Sequence, residues 1–471
     1  VQITGKLGQR AFLQNYLSGE SIDHKQITAL FTPLLIDQAF ILCLNLVNVA
    51  MISSSGVAAV SAVNMIDSIN MFLISVFVAV ATGGTVVVAQ YKGSGNEPMV
   101  TKAAANAIMA VFLLSLTISV VVAAFYHPIL RVLFGKASED VFTNASVYLI
   151  GCCISYVGIA VEQAVCGVLR GVGKTRVTLG LSLIMNSIYV ALNFVFINGM
   201  GMGVLGMVIA VNIARYFAAF CAIYYMVRMS TTLRLRLAEL FHFQIDMLRK
   251  VLFIGVPYAA EQMFFHSGKI ITQVFIVSLG TYAIATNAIG GVLAGLSQIP
   301  ANALALTLVT VVGQCVGRQN VGDARKLTKS ILWISTGSFV LMALLILALF
   351  RPLVAMFHPP ADIVPDIFTI TVINLIAQVP LWAISFLLPA SLRAAGDSRF
   401  TSVTSMISMW VFRVVLGYIF GIVLGFGIVG IWVAMNIEWG VRGSVFLWRF
   451  IGEKWYAHRL IESPEGIEQQ G

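Results

Sequence analysis

Five carboxylates stand inside long apolar stretches of this 471-residue chain: Asp37, Asp67, Glu162, Glu261 and Glu438. A charge near the middle of such a stretch costs roughly 2.5–3.5 kcal/mol on insertion scales, and it marks a pathway or an ion site. Two of the five share a setting. Asp37 follows Pro33 by four residues and precedes Gln38, and Glu261 follows Pro257 by four and precedes Gln262. A carboxylate in a low-dielectric span must take a proton, bind a cation such as Na⁺, hold a basic side chain or meet a cationic ligand. These occupants exclude one another, which is the chemistry of exchange. Asp37 and Glu261 are the expected seats for Na⁺.

Polar partners recur at helical spacing. Asp37 and Asn48 are three turns apart and share a face, as do Glu261 and Thr272. Asn64 and Asp67 share another face. Asn186, Tyr189 and Asn193 form an i, i+3, i+7 stripe that suits a cation site and equally suits glue between helices. Glu162 is a further candidate for ion or substrate, or a carboxylate that meets Arg170. Lys269, eight residues past Glu261, stands roughly 12 Å along the helix from it. It either pairs with a carboxylate of another helix or competes with substrate for one. Gln38 and Gln262 read as residues that bond to neighbouring helices, and His266 as a satisfied core residue, with a proton relay as its alternative. The six cysteines all lie in apolar spans without metal-ligand spacing to a His. HExxH, GxSxG and GxxxxGKS are absent from the sequence, so no catalytic residue and no enzyme are expected.

The elements that position these residues are membrane helices. The chain is 59% hydrophobic and 10% charged, with mean hydropathy +0.92; a soluble domain carries about 25% charged residues. Runs of about 20 apolar residues mark twelve spans between 28 and 450. With both termini in the cytoplasm, most of the 29 Lys and Arg fall in inner loops or at helix ends facing them. Arg131, Lys136 and Arg351 face outward, while Arg215, Lys269 and Arg413 lie within spans. That asymmetry is the positive-inside pattern, so the net charge of +9 reads as topology and attraction to membrane lipids, with no nucleic-acid partner. The opening residues lack a basic stretch followed by a short apolar core, so no cleaved signal peptide is expected.

The two halves repeat. At an offset of 224, residues 33–96 and 257–320 share 14 of 64 positions without a gap. The matches include Pro33/Pro257, Gln38/Gln262, Gly56/Gly280, Gln90/Gln314, Gly93/Gly317 and Asn96/Asn320. Arg170-x-x-Gly173-x-x-Arg176 returns as Arg393-x-x-Gly396-x-x-Arg399. Six spans per half keep both halves in one orientation, a parallel repeat. The expected fold is therefore all-α integral membrane, twelve transmembrane helices in two parallel-repeat six-helix lobes. The expected divisions are a cytoplasmic segment 1–27, a first lobe 28–228, a cytoplasmic linker 229–251, a second lobe 252–450 and a cytoplasmic tail 451–471.

The chain resembles bacterial multidrug and toxic compound extrusion (MATE) transporters. The resemblance rests on Val47–Ser53 before Gly56, Ala81–Gly84 leading to Gln90-Tyr91-Lys92-Gly93, and Leu169–Arg176, echoed by Val312–Gly317 and Leu392–Arg399. It implies two lobes around a central cavity, working as a monomer in the cytoplasmic membrane. It implies export of small organic cations, drugs or natural products in exchange for Na⁺ or H⁺, with no cofactor beyond that ion. The chain departs from the family pattern in places. Asn48 stands where many members carry Asp, Tyr189 and Asn193 stand where an Asn and an acid often precede Gly199, and Phe265 stands where the family Glu usually falls. Asp37 and Glu261 are therefore expected to take over the ion chemistry. A flippase of polar lipids is the alternative. Arg413 and Lys269 would suit an anionic headgroup, but intramembrane acids outnumber bases.

Overall fold

Twelve long helices run through the described residues of this computed structural model, which are 16–53, 56–134, 139–230, 233, 235–240, 244–457 and 460. They are α1 (His24–Ser53), α2 (Val57–Gly93), α3 (Glu97–Ala124), α4 (Glu139–Gly171), α5 (Thr175–Gly199), α6 (Gly203–Met229), α7 (Ile245–Ser278), α8 (Thr281–Gly317), α9 (Val321–Ala348), α10 (Ala361–Ala394), α11 (Ser398–Val423) and α12 (Gly427–Ile451). Ten are long and apolar enough to cross a membrane by length and composition alone. The remaining two each carry an acid and a base within the helix, Glu261 and Lys269 in α7, Glu438 and Arg442 in α12. The fold is the expected all-helical membrane bundle.

The duplication is written into the helix ends. Asn96 and Asn320 precede α3 and α9 with nearly the same backbone (φ −86° and −95°). Each side chain caps its helix, accepting from Met99 N and Asp323 N. Gly173 and Gly396, in the turns before α5 and α11, take φ of +88° and +106°, where a Cβ would be strained. Short helices at Tyr126–Phe134 and Phe350–Ala355 occupy matching places in the two halves. α5 and α11 both end in a π-helical turn, at Phe194–Gly199 and Ile419–Val423. Pro33, Pro257, Pro300 and Pro380 sit inside helices, as membrane helices tolerate.

The chain forms two compact lobes. One holds residues 32–259, the other residues 1–31 together with 260–471. Both divisions thus fall inside helices, next to Pro33 in α1 and Pro257 in α7, whereas the sequence places them at the helix starts. The packing gives the reason. Within the first lobe, Gly83 of α2 meets the start of α7 so closely that a Cβ there would run into the Val251 carbonyl oxygen. A Cβ on Gly255 would lie 2.9 Å from Val80 Cα. Lys250 Nζ donates to Tyr91 OH (2.9 Å), and Gln244 N donates to Asn106 Oδ1 (3.1 Å). The described part of the linker therefore packs as first-lobe structure. Within the second lobe, Asp323 Oδ2 accepts from Ser21 N (2.6 Å), Lys326 Nζ donates to the Ser18 carbonyl (2.8 Å), and Arg318 donates to that of Ser21. The described residues before α1 are tied down there.

Candidate functional sites in the two lobes

In the first lobe, α4 lies between α2, α3 and α6 and carries Glu162, Tyr148 and Tyr156 inward. Glu162 is fully buried. It accepts from Gln163 Nε2 (2.8 Å) and Cys166 Sγ (3.1 Å), and it feels the charges of both Arg170 and Asp37. Asp37, half-buried on α1, reaches the Ser182 side chain of α5 and lies near Arg170. Its Oδ1 is buried and has no hydrogen-bond partner among the described residues. Asn186 joins this group through Ser182, donating to its carbonyl (2.9 Å) and approaching its hydroxyl (3.4 Å). Two carboxylates and one guanidinium among the described residues thus share one neighbourhood.

A second polar group lies further along the same lobe. Asp67 Oδ1 accepts from Asn70 Nδ2 (3.1 Å) and Tyr148 OH (3.0 Å), and Tyr156 OH donates to Asn70 Oδ1 (2.6 Å). Arg215 of α6 acts on Asp67 electrostatically while donating to Ser155 Oγ (2.7 Å). Tyr189 and Asn193 face this group and lie within hydrogen-bonding reach of each other. Asn193 Oδ1 is buried with no partner among the described residues. The α5 stripe therefore divides, Asn186 toward Asp37 and Tyr189 with Asn193 toward Asp67. The Asn48 side chain lies outside the described residues.

In the second lobe, Glu261 has a different setting from Asp37. Its Oε2 accepts from Arg393 Nη1 of α10 (3.1 Å) and Ser402 Oγ of α11 (3.1 Å), and both members of the ion pair are buried. The charge that the sequence reading reserved for Na⁺ is already balanced by a guanidinium. Arg393 matches Arg170 in the repeat, so each lobe sets an arginine beside its proline-linked acid. Both arginines are among the basic residues that the positive-inside pattern places in inner loops or at helix ends facing them. The usable signal was that they recur at nearly the same offset as the acids. Glu438, fully buried on α12, is ion-paired with Arg442 (3.2 Å). Arg442 also donates to Ser385 Oγ (2.9 Å) and stacks on Phe386. Lys269 makes no ion pair among the described residues; its Nζ lies 5.0 Å from the centre of the Phe265 ring. Among the described residues no group of His, Cys, Asp and Glu is arranged to hold a metal ion.

A tandem six-helix repeat with buried charge in each half defines a membrane transporter. The MatE family profile matches the chain twice, over residues 33–195 and 257–419, with the same separation as the repeat. The chain belongs to the MatE family. It is 28% identical over 434 residues to the uncharacterized transporter YisQ of Bacillus subtilis, covering 90% of this chain and 93% of that one. It is 23% identical over 472 residues to the probable multidrug resistance protein NorM of Thermotoga maritima, covering 98% and 99%. Its fold superposes on an outward-facing MATE family transporter of the MOP superfamily with TM-score 0.85 at 19% identity, covering 93% and 97%. It also superposes on a MOP superfamily transporter of Pyrococcus furiosus, described as having a binding pocket of reverse polarity, with TM-score 0.84 at 18% identity, covering 93% and 98%.

Proposed function

We propose that this protein is a secondary antiporter of the cytoplasmic membrane that expels organic cations, drugs or natural products in exchange for Na⁺ or H⁺ by alternating access. In this reading it works as a monomer with both termini in the cytoplasm and needs no cofactor beyond the coupling ion. The probable multidrug resistance proteins among its relatives support export. The observation that carries the coupling is the first-lobe acid pair, with Asp37 Oδ1 buried and without a hydrogen-bond partner among the described residues, beside Glu162 and near Arg170. An unpaired buried charge is costly. Asp37 therefore favours whichever cation reaches it, coupling ion or cationic cargo, and binding one excludes the other. Asp67, Tyr189 and Asn193 extend the polar path in the same lobe. Glu261, satisfied by Arg393 and Ser402, holds α7 against α10 and α11 instead of serving as an open cation seat.

The test is export of a cationic dye from proteoliposomes under separately imposed Na⁺ and pH gradients. Asp37→Asn and Glu162→Gln should each abolish gradient-driven export, and the gradient that drives the native protein names the ion. Export at the native rate by both variants would remove the coupling site from this lobe.

A further inference from the structure

The second lobe contains a cavity of about 340 Å³ between α7, α8, α11 and α12. Its size is that of a small-molecule site. Aromatic walls come from Phe265, Trp432 and Trp439, and amides from Gln273, Asn287 and Gln298. A core of Ile276, Ile370, Ile428 and Ile431 packs around Trp432. Trp432 Nε1 donates to Asn287 Oδ1 (3.1 Å), which fixes that wall.

The charges on the lining are all of one sign. Lys269 and Arg413 both line the cavity, and no carboxylate does. They lie 5.0 Å and 5.7 Å from the centre of one ring, that of Phe265, close enough for their like charges to act on each other. Arg413 is buried. Its Nη1 meets only the Met409 thioether at 4.0 Å, and its Nε has no partner among the described residues. The acid near Arg413 is Glu438, which is engaged by Arg442 and lies outside the lining. Arg413 is buried, shares its nearby acid Glu438 with Arg442 and faces the like charge of Lys269, which is exposed at the cavity, so it is costly to keep out of water and repelled across the lining. One anion between them relieves both penalties, and a guanidinium beside an ammonium is suited to carboxylate or phosphate oxygens.

We propose that this cavity is an organic-anion site. It takes the carboxylate or phosphate of a small ligand on Lys269 and Arg413 and packs the ligand's apolar body on Phe265, Trp432 and Trp439. The ligands this protein handles then include organic anions or zwitterions, beyond the cations assigned to the first lobe.

The experiment is titration calorimetry on the full chain in phosphatidylcholine nanodiscs, without any ion gradient, so it is independent of coupled export. The probes are 1-naphthoate and 1-naphthylmethylammonium, which share a ring system and differ in charge. Naphthoate should bind at least about tenfold more tightly than its cationic counterpart. Lys269→Gln and Arg413→Gln should each weaken naphthoate by about ten- to a hundredfold, Lys269→Arg should restore it, and Lys329→Gln, at an exposed lysine away from the cavity, should leave it unchanged. Where Arg413→Gln does not give a monodisperse protein, Lys269→Gln and Lys269→Arg carry the test. Equal binding of the two probes overturns the proposal. So does undiminished naphthoate binding by Lys269→Gln, or complete displacement by chloride at equal concentration. Displacement by soluble glycerol phosphate identifies a small-molecule source for the anion. Displacement only when phosphatidylglycerol is built into the disc identifies a lipid headgroup.

Discussion

Removing one member of the Glu261–Arg393 pair should be far more damaging than removing both. The pair is buried, with side chains 10% and 8% accessible, and the carboxylate also accepts from Ser402. Arg393→Met leaves a buried carboxylate with one hydroxyl donor, which costs about 3–5 kcal/mol. Glu261→Gln removes the negative charge that buried Arg393 meets, at a comparable cost. The double variant Glu261→Gln/Arg393→Met removes both charges and should lie within about 1–2 kcal/mol of the native protein, a coupling of about 3 kcal/mol or more in the cycle. Asp37→Asn makes the contrast. Asp37 has an oxygen without a hydrogen-bond partner among the described residues, so neutralising it should cost less than about 1 kcal/mol. Equilibrium unfolding in mixed detergent–SDS micelles, followed by tryptophan fluorescence, measures all four. Additive single effects at Glu261 and Arg393, or an Asp37→Asn penalty as large as that of Glu261→Gln, would refute the reasoning.

Asn96→Ala and Asn320→Ala each remove one helix cap and should each cost about 1 kcal/mol in the same unfolding assay; a large difference between them would show that the duplicated caps are not equivalent. Tyr148→Phe removes a donor to Asp67 and should lower stability by about 1.5–3 kcal/mol, an effect that shrinks in an Asp67→Asn background, where the acceptor is neutral. Asp323→Ala frees the segment around Ser21, and trypsin should then cut after Lys25 several-fold faster in a timed digest than in the native protein.

Much of this architecture could be read before any coordinates. The span count and the parallel repeat followed from apolar run lengths and from glycines and asparagines recurring at a fixed offset, and the same residues cap and turn the helices. The lobe divisions could not be read this way. They depend on Gly83 and Gly255 allowing the start of α7 to press against α2, a contact between backbones that no hydropathy pattern records. At the sites, the acids were conspicuous because a carboxylate in an apolar run is rare. Their partners were not. Arg393 is 132 residues from Glu261, and the positive-inside rule had already accounted for it as a loop residue. Lys269 is expected either to pair with a carboxylate of another helix or to compete with substrate for one. The structure instead gives Glu261 to Arg393 and leaves Lys269 on an aromatic ring at the wall of a cavity.

The two proline-adjacent divisions also bear on how the chain is made. Each lobe is completed by the opening segment of the other half: residues up to 31 belong with the second lobe, and the stretch up to 259 belongs with the first. During synthesis the first lobe cannot close until α7 has begun to emerge, and the segment around Ser18 and Ser21 waits for α9 before it finds its place. A protein cut in the 231–243 stretch would strand part of each lobe on the wrong fragment, whereas a cut at 259/260 would leave the first lobe's fragment with everything it packs against.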